Sequence, residues 1–220
     1  SGGMDSATAA VEAQEQGYEL YLLHTSYGQN TEAKEFECAR ALAERLDARD
    51  FLHIETDHLA RIGASSLTDD SIEVEDADLD SDEIPSSYVP FRNSNLLSMA
   101  VSYAEANDCE AIFMGAHSED YSGYPDCRPK FFDAFQQVIN VGTKPETTID
   151  LRAPFVDWSK TDIAKRGVEL DVPYKITWSC YSDDAPACGT CDACAFRLKA
   201  FQEVSVEDPI DYAERPVYVD

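Results

Sequence analysis

Short apolar runs alternate along the chain with longer segments that carry an apolar residue every three or four positions. The runs cover residues 20–24, 51–54 and 111–115, and none shows the strict alternation of a half-exposed strand. Such runs are typical of strands buried on both faces of a parallel sheet. The longer segments, 31–49 and 96–106, follow the period of an amphipathic helix. The pattern therefore predicts strands and helices in alternation.

This alternation predicts an α/β fold built on a doubly wound parallel sheet. The apolar stripes of the two predicted helices are Ala33, Phe36, Ala39, Ala43 and Leu46 in the first, and Leu96, Met99, Ala100 and Tyr103 in the second. In such sheets, ligands bind beyond the carboxyl ends of the strands. The loops at residues 1–5, 26–30 and 116–128 are therefore predicted to hold the functional site.

The length of 220 residues fits one domain, which can bury roughly 70% of its unfolded surface. We predict a single domain over residues 1–200 and an acidic C-terminal extension over residues 201–220. Residues 69–83 contain nine carboxylates and no basic residue, a composition that predicts a mobile surface loop. No apolar run approaches the length of a membrane span, so no membrane association is predicted.

The chain has 43 acidic and 17 basic residues, which gives a net charge of -26. Such a surface repels phosphate backbones, so direct binding of nucleic acid is not expected. Outside residues 69–83 the acidic residues are dispersed. This dispersal favours a surface adapted to high salt, as in a halophile, over an ordinary domain with an acidic tail.

Four of the seven cysteines lie within one short segment, residues 180–194. They are Cys180, Cys188, Cys191 and Cys194. Thiolates at two-residue gaps can bind one ion with tetrahedral geometry, and four of them leave no open position. A structural zinc ion is predicted, with an iron-sulfur cluster as the alternative. The odd cysteine count and this crowding favour a reduced cytosolic protein over a disulfide framework, with Cys38 and Cys109 as buried apolar side chains.

The chain opens with Ser1-Gly2-Gly3-Met4-Asp5-Ser6, directly before a helix-forming segment. Glycines let the backbone approach a ligand, and the free N-H groups and the positive end of a helix dipole attract anions. The loop lacks the lysine and the spacing of a Walker A motif. It predicts a phosphate site at residues 1–6, and a plain turn with Asp5 or Ser6 as helix cap is the alternative.

Residues 120–129 combine aromatic, glycine, carboxylate and arginine side chains after a predicted buried strand. Tyr124 could stack on a planar ring, Asp126 could accept hydrogen bonds from ring N-H groups, and Arg128 could pair with an anion. An ordinary turn with a surface ion pair is equally compatible with this segment. Arg92 has the same two interpretations. Lys160, before a predicted helical stretch, could contact a phosphate or be a solvated surface lysine. No role is assigned to the histidines, which are His24, His53, His58 and His117.

Several motifs taken together resemble the 7-cyano-7-deazaguanine synthase family, within the N-type ATP pyrophosphatase superfamily. They are residues 1–6, Tyr27-Gly28-Gln29, residues 88–93, residues 120–129, and Trp178-Ser179-Cys180-Tyr181 with the three cysteines that follow. The similarity spans nearly the whole chain. It implies a sheet like that of adenine nucleotide alpha hydrolases, a first strand before residue 1, and a homodimer with one structural zinc ion per subunit.

The resemblance also implies a reaction. ATP would convert 7-carboxy-7-deazaguanine to an acyl adenylate, ammonia would displace AMP to give the amide, and a second activation would yield the nitrile, for deazaguanine-modified tRNA. The residues implied to hold ATP are Ser1, Gly2, Gly3, Asp5 and Ser6, with Asp5 acting through Mg²⁺. Lys160 would stabilise departing pyrophosphate, and Arg92 would lie near the reacting groups. The residues implied to bind the deazaguanine are Tyr124, Asp126 and Arg128. No general base is identified.

Two other functions remain open from the sequence. The chain could be another ligase with this loop, amide-forming or tRNA-thiolating, although a tRNA enzyme needs a basic face that the composition does not offer. It could also be a zinc-stabilised sensor that binds ATP without turnover. Pyrophosphate release that depends on the deazaguanine acid distinguishes an enzyme from a sensor.

Overall fold

Helices and strands alternate along the chain in the computed structural model, which describes residues 1–69, 71–79, 83–119, 123–182 and 184–219. The helices are α1 (Met4–Glu15), α2 (Glu32–Arg45), α3 (His58–Ile62), α4 (Arg92–Ala106), α5 (Pro129–Gly142), α6 (Lys160–Glu169) and α7 (Asp192–Glu203). The strands are β1 (Tyr21–Ser26), β2 (Asp50–Glu55), β3 (Ala111–Phe113) and β4 (Asp150–Arg152). Short 3-10 turns lie at Pro125–Cys127 and Tyr174–Ile176.

The strands of the described residues form two parallel pairs. β1 pairs with β2 from Tyr21 opposite Asp50 onward, and β3 pairs with β4 from Ala111 opposite Asp150 onward. Parallel neighbours need a crossover connection, which α2 supplies between β1 and β2. The predicted α/β class with parallel strands is therefore confirmed.

The predicted strands and helices are found with shifted bounds, and α4 shows why. The apolar pattern predicts its start at residue 96, whereas the helix begins at Arg92. The carboxylate Oδ2 of Asp126 accepts a hydrogen bond from the backbone N-H of Asn93 at 2.8 Å. This long-range contact satisfies a free N-H group of the first turn, so the helix extends beyond its own apolar stripe.

A cavity of about 720 Å³ lies between β1 and β3. Its lining includes residues of both strands together with α1 and α4, among them Ala9, Leu22, Leu97, Ala100 and Ile112. At the carboxyl end of β1 the lining becomes polar, as expected for a ligand site in a parallel sheet.

The chain after α7 is anchored by a buried ion pair between Arg197 and Asp208. The guanidinium Nε donates to Asp208 Oδ2 at 2.7 Å and Nη2 donates to Oδ1 at 2.9 Å, and both side chains are fully buried. The hydroxyl of Tyr212 also donates to Asp208 at 2.7 Å. A buried charge needs such partners, so this network fixes the acidic C-terminal segment against α7.

Part of the acidic segment 69–83 is also attached to the fold. The N-H of Ala77 donates to the carbonyl of Thr190 at 2.9 Å, and Asp76 forms an isolated bridge with Cys191. Asp70 and residues 80–82 lie outside the described residues. The mobile loop stays a prediction, although backbone contacts tie Asp76 and Ala77 to the four-cysteine segment.

Among the described residues, none of the helices combines the length and the apolar character that crossing a membrane requires.

The dispersed negative charge predicts a protein that gains stability from salt. The net charge of -26 means that neighbouring carboxylates repel each other in dilute buffer. The Debye length falls from about 10 Å at 0.1 M salt to about 3 Å at 1 M, so this repulsion fades. The melting temperature should rise between these two concentrations of potassium chloride. A melting temperature that stays flat or falls contradicts salt adaptation.

Candidate active site and four-cysteine cluster

Residues 1–6, called the loop below, comprise a tight turn at residues 1–3 and the first turn of α1, for which Gly3 is the N-cap. The hydroxyls of Ser1 and Ser6 lie 2.8 Å apart, and the N-H of Trp178 donates to the carbonyl of Gly2 at 2.8 Å. A Cβ added at Gly2 would meet the carbonyl oxygen of Glu35 at 2.6 Å, so this close approach requires glycine. The loop presents the free N-H groups of a helix start, which suits a phosphate group.

Asp5 and Lys160 form an ion pair at this loop, with Lys160 Nζ donating to Asp5 Oδ2 at 2.7 Å. Burial alone would raise the pKa of Asp5, but the positive charge of Lys160 and its hydrogen bond hold that pKa below its usual range. Asp5 Oδ1 is buried and has no hydrogen-bond partner among the described residues. A buried carboxylate oxygen without a partner is costly, so Oδ1 fits a hard cation such as Mg²⁺.

The position of Lys160 depends on the start of α6. Ser159 and Asp162 form a capping box, in which Asp162 N donates to Ser159 Oγ at 3.1 Å and Ser159 N donates to Asp162 Oδ2 at 3.0 Å. The box fixes the first helical turn, and Lys160 is its first residue. Lys160 is only 8% exposed, which excludes the alternative of a solvated surface lysine.

His117 completes this group of side chains. Lys160 Nζ donates to His117 Nε2 at 3.3 Å, and His117 is buried. The residue follows β3 by only a few positions, so it lies at the carboxyl end of that strand, where a site is expected. The spacing of the histidines does not identify His117 as a site residue. Its position just after a predicted buried strand was the sequence feature that could have identified it.

Arg92 and two tyrosines line the same cavity as Asp5 and Lys160. Arg92 Nη1 donates to the hydroxyl oxygen of Tyr27 at 3.0 Å, and the guanidinium carbon lies 5.9 Å from the Tyr27 ring centre. The hydroxyl of Tyr124 lies 2.8 Å from that of Ser87. A fixed guanidinium beside aromatic rings can pair with a carboxylate and stack on a planar heterocycle. Arg92 and Tyr124 therefore line the cavity that also contains Ser1, Asp5 and Ser6.

Two predicted substrate residues, Asp126 and Arg128, are not among the described residues that line the cavity. Asp126 is buried, and besides its bond from Asn93 N its carbonyl accepts from Asn93 Nδ2 at 3.1 Å. Asp126 thus holds the start of the helix that carries Arg92. Arg128 is the N-cap residue of α5 and is partly buried. Residues 120–122 of this predicted pocket lie outside the described residues.

Glu35 is a residue of the cavity that the sequence analysis missed. Gln29 Nε2 donates to Glu35 Oε2 at 3.1 Å and Thr31 Oγ1 donates to Oε1 at 2.9 Å. Glu35 stands four residues before Ala39, a member of the predicted apolar stripe, so the two share a helix face. A carboxylate in register with a buried stripe was the signal that could have identified it.

The sulfur atoms of Cys180, Cys188, Cys191 and Cys194 all lie within 4.8 Å of one another. The N-H groups of Ser182 and Cys188 each donate to Cys180 Sγ at 3.4 Å. Hydrogen bonds from Cys191 and Cys194 also lower the pKa of the Cys180 thiol. The cluster could hold a metal ion, because four thiolates at this distance suit a tetrahedral shell.

The four-cysteine segment supports the loop at residues 1–6. The hydroxyl oxygen of Thr31, at the start of α2, lies 3.2 Å from the carbonyl oxygen of Cys180. Trp178, two residues before Cys180, holds Gly2 through its backbone N-H. Disorder in this segment would therefore reach both the loop and the start of α2.

Comparison with known proteins identifies the family. A family model described as "Queuosine biosynthesis protein QueC" matches residues 1–205. The chain belongs to the QueC family. Relatives of this chain carry the name 7-cyano-7-deazaguanine synthase. One from Haloarcula marismortui is 77% identical over all of this chain and 95% of its own length. Another, from Halobacterium salinarum, is 72% identical over 99% of this chain and 95% of its own length.

A third relative of the same name, from Methanoculleus marisnigri, is 55% identical over 96% of each chain. The family resemblance predicted from the motifs is confirmed, and two of these relatives come from halophiles. This QueC chain shares the acidic character expected of a protein adapted to high salt. The four-cysteine cluster predicted from spacing is likewise confirmed as a group that could hold a metal ion.

Proposed function

We propose that this chain is an ATP-dependent ligase that makes 7-cyano-7-deazaguanine from 7-carboxy-7-deazaguanine and ammonia. The names of the relatives support this activity. The observation that carries the proposal is the pairing of Lys160 with Asp5, whose second oxygen is buried without a described partner, beside a loop suited to phosphate. This arrangement would suit binding of a nucleoside triphosphate with a divalent cation.

The loop residues would hold ATP. Ser1, Gly2, Gly3 and Ser6 would contact the triphosphate through hydroxyls and backbone N-H groups, and Asp5 would hold Mg²⁺. When bound, Mg²⁺ lowers the charge on the phosphates and so supports displacement of pyrophosphate. Lys160, which donates to Asp5, would add a positive charge that stabilises departing pyrophosphate.

The acid would lie beside Arg92 and Tyr124. Arg92 would pair with the carboxylate while its contact with Tyr27 fixes its direction, and Tyr124 would stack on the deazaguanine ring. Asp126 would act indirectly, because it holds the start of α4. Arg128 would be a further contact to the deazaguanine, although it is not among the described residues that line the cavity.

Activation is needed twice in this reaction. A carboxylate is a poor electrophile, so ATP first converts it to an acyl adenylate, and ammonia then displaces AMP to give the amide. Adenylation of the amide oxygen allows loss of AMP and formation of the nitrile. Both activations use the same phosphate loop, because each transfers AMP and releases pyrophosphate.

The four cysteines would bind one structural zinc ion, since they leave no position for a substrate. We propose a cytosolic homodimer whose product feeds tRNA modification without direct binding of tRNA by this acidic surface.

The alternative of an ATP-binding sensor is tested by pyrophosphate release. Purified protein is mixed with Mg-ATP, with and without 7-carboxy-7-deazaguanine. We expect release only when the acid is present, because adenylation needs an acceptor. Binding of ATP without release in either mixture would support the sensor, and release that depends on another carboxylate or on tRNA would support another ligase of this superfamily.

Arg92→Ala should raise the KM for the deazaguanine acid by about 10- to 100-fold, because a hydrogen bond to a charged group contributes about 1.5–3 kcal/mol. The KM for ATP should change little. Tyr27→Phe, which removes only the acceptor of the Arg92 hydrogen bond, should have a smaller effect of the same kind. Steady-state kinetics with each substrate varied in turn measures both constants. Equal changes in the two KM values would contradict the assignment of Arg92 to the acid.

A further inference from the structure

Glu35 places a carboxylate on the wall of the cavity that also contains Ser1, Asp5, Arg92 and Lys160. It lies in the first turns of α2, and its backbone carbonyl contacts the loop next to Gly2. Both carboxylate oxygens are held, one by Gln29 and the other by Thr31. Each oxygen keeps a second acceptor direction, so the carboxylate is oriented and can still bind a cation or a proton.

The groups around Glu35 set the strength of its carboxylate as a base. Burial raises the pKa of Glu35, against the hydrogen bonds from Thr31 and Gln29 and the positive charge of Arg92. The ionisable phenol of Tyr27 and thiol of Cys38 also face it. A carboxylate whose pKa is raised is a stronger base than an exposed one.

The proposed reaction requires a group that takes a proton from ammonium. Ammonia has a nucleophilic lone pair only when unprotonated, and amines of the lysine type have a pKa of about 10.4, so ammonium dominates at neutral pH. Asp5 is engaged by Lys160 and Arg92 by Tyr27. Asp5 Oδ1 is assigned to Mg²⁺ in the proposed function, whereas Glu35 has no such assignment and lines the same cavity, so it is our candidate for binding the ammonium ion.

We propose that Glu35 binds ammonium and takes one proton from it, so that ammonia attacks the activated acid; this rests on the proposed ligase function. The proton passes to the Glu35 carboxylate, and the freed nitrogen lone pair forms the C-N bond at the acyl carbon. The bond from that carbon to the phosphate oxygen breaks, and its electron pair leaves with AMP. The nitrogen then loses a second proton to water, which gives the neutral amide.

The test compares Glu35→Gln with the wild type and with Glu37→Gln, an exposed control on the same helix whose side chain pairs with Lys34. Exchange of labelled pyrophosphate into ATP in the presence of the acid reports the adenylation step. Amide formation reports the ammonia step. Hydroxylamine, which is uncharged at neutral pH, reports attack on the adenylate without prior removal of a proton from an ammonium ion.

Glu35→Gln should keep pyrophosphate exchange and hydroxamate formation, and lose amide formation from ammonia by about 100-fold or more. Glu37→Gln should match the wild type in all three assays. Equal loss of all three activities in Glu35→Gln would overturn the proposal, since it indicates a purely structural role. Unchanged amide formation would overturn it as well. Absence of exchange in the wild type would instead contradict the proposed ligase function.

A measurement on the wild type keeps the proposal testable if Glu35→Gln does not fold. An enzyme that binds only free ammonia shows a KM for total ammonia that falls about tenfold for each pH unit between about pH 6 and about pH 8. An enzyme that binds ammonium and deprotonates it shows a nearly constant KM over this range. We expect the constant KM, and a tenfold fall per unit would overturn the role of Glu35.

Discussion

Asp5→Ala is expected to reduce pyrophosphate release by about 1,000-fold, because loss of one preorganised charge-stabilising group costs about 10²- to 10³-fold and Asp5 also positions a second. Its Oδ2 fixes Lys160, and its Oδ1 would hold Mg²⁺. Both activations would pass through this residue. The acid and the amide should therefore be blocked alike as substrates.

A coupled assay for pyrophosphate with either substrate measures this effect. Asp133→Ala, at an exposed position on α5, is the control and should retain wild-type activity. Asp5→Asn keeps the size of the side chain and removes its charge, so it should be nearly as inactive. Substantial pyrophosphate release by a folded Asp5→Ala protein would contradict the role of Asp5, and a block of the acid alone would contradict its use in both activations.

Cys191→Ser is expected to release the metal and to unfold the region around residues 180–194. Zinc binding contributes about 10–16 kcal/mol in small zinc modules, whereas a whole domain is stable by about 5–15 kcal/mol. Because this segment also holds Gly2 and Thr31, activity should be lost with the metal. Elemental analysis should find about one zinc ion per wild-type chain and a reduced content in the variant.

Cys109→Ser is the matched control, because Cys109 is partly buried and lies outside the cluster. It should keep the full metal content and most of the thermal stability. A Cys191→Ser protein that is free of metal and melts at the wild-type temperature would show that the cluster has no structural role.

Local patterns predicted the elements and the parts of the site that lie close together in the sequence. The apolar run at residues 20–24 became part of β1, and the stripe that includes Phe36 and Ala39 became α2. The cysteines could be predicted because their spacing alone brings the thiols together. In each case the determining interactions are between near neighbours in the chain.

Contacts between distant residues were not predictable in this way. Asp126 was predicted to contact a ligand, but its carboxylate caps α4, because Asn93 lies 33 positions away in sequence and adjacent in space. The C-terminal segment is anchored through Asp208, whose partner Arg197 has no distinguishing local pattern. In the sequence, Glu35 is one of several charged residues of an amphipathic helix. The packing of α2 against the loop places it on the cavity wall.

The central claim is tested most directly by mass spectrometry of the product made from 7-carboxy-7-deazaguanine, Mg-ATP and ¹⁵N-ammonia. The account predicts the nitrile with one heavy nitrogen, preceded by the amide with the same label, and formation of AMP at both stages. The acid returned unchanged, while the same protein adenylates another carboxylate or a tRNA base, would contradict the proposed synthase activity.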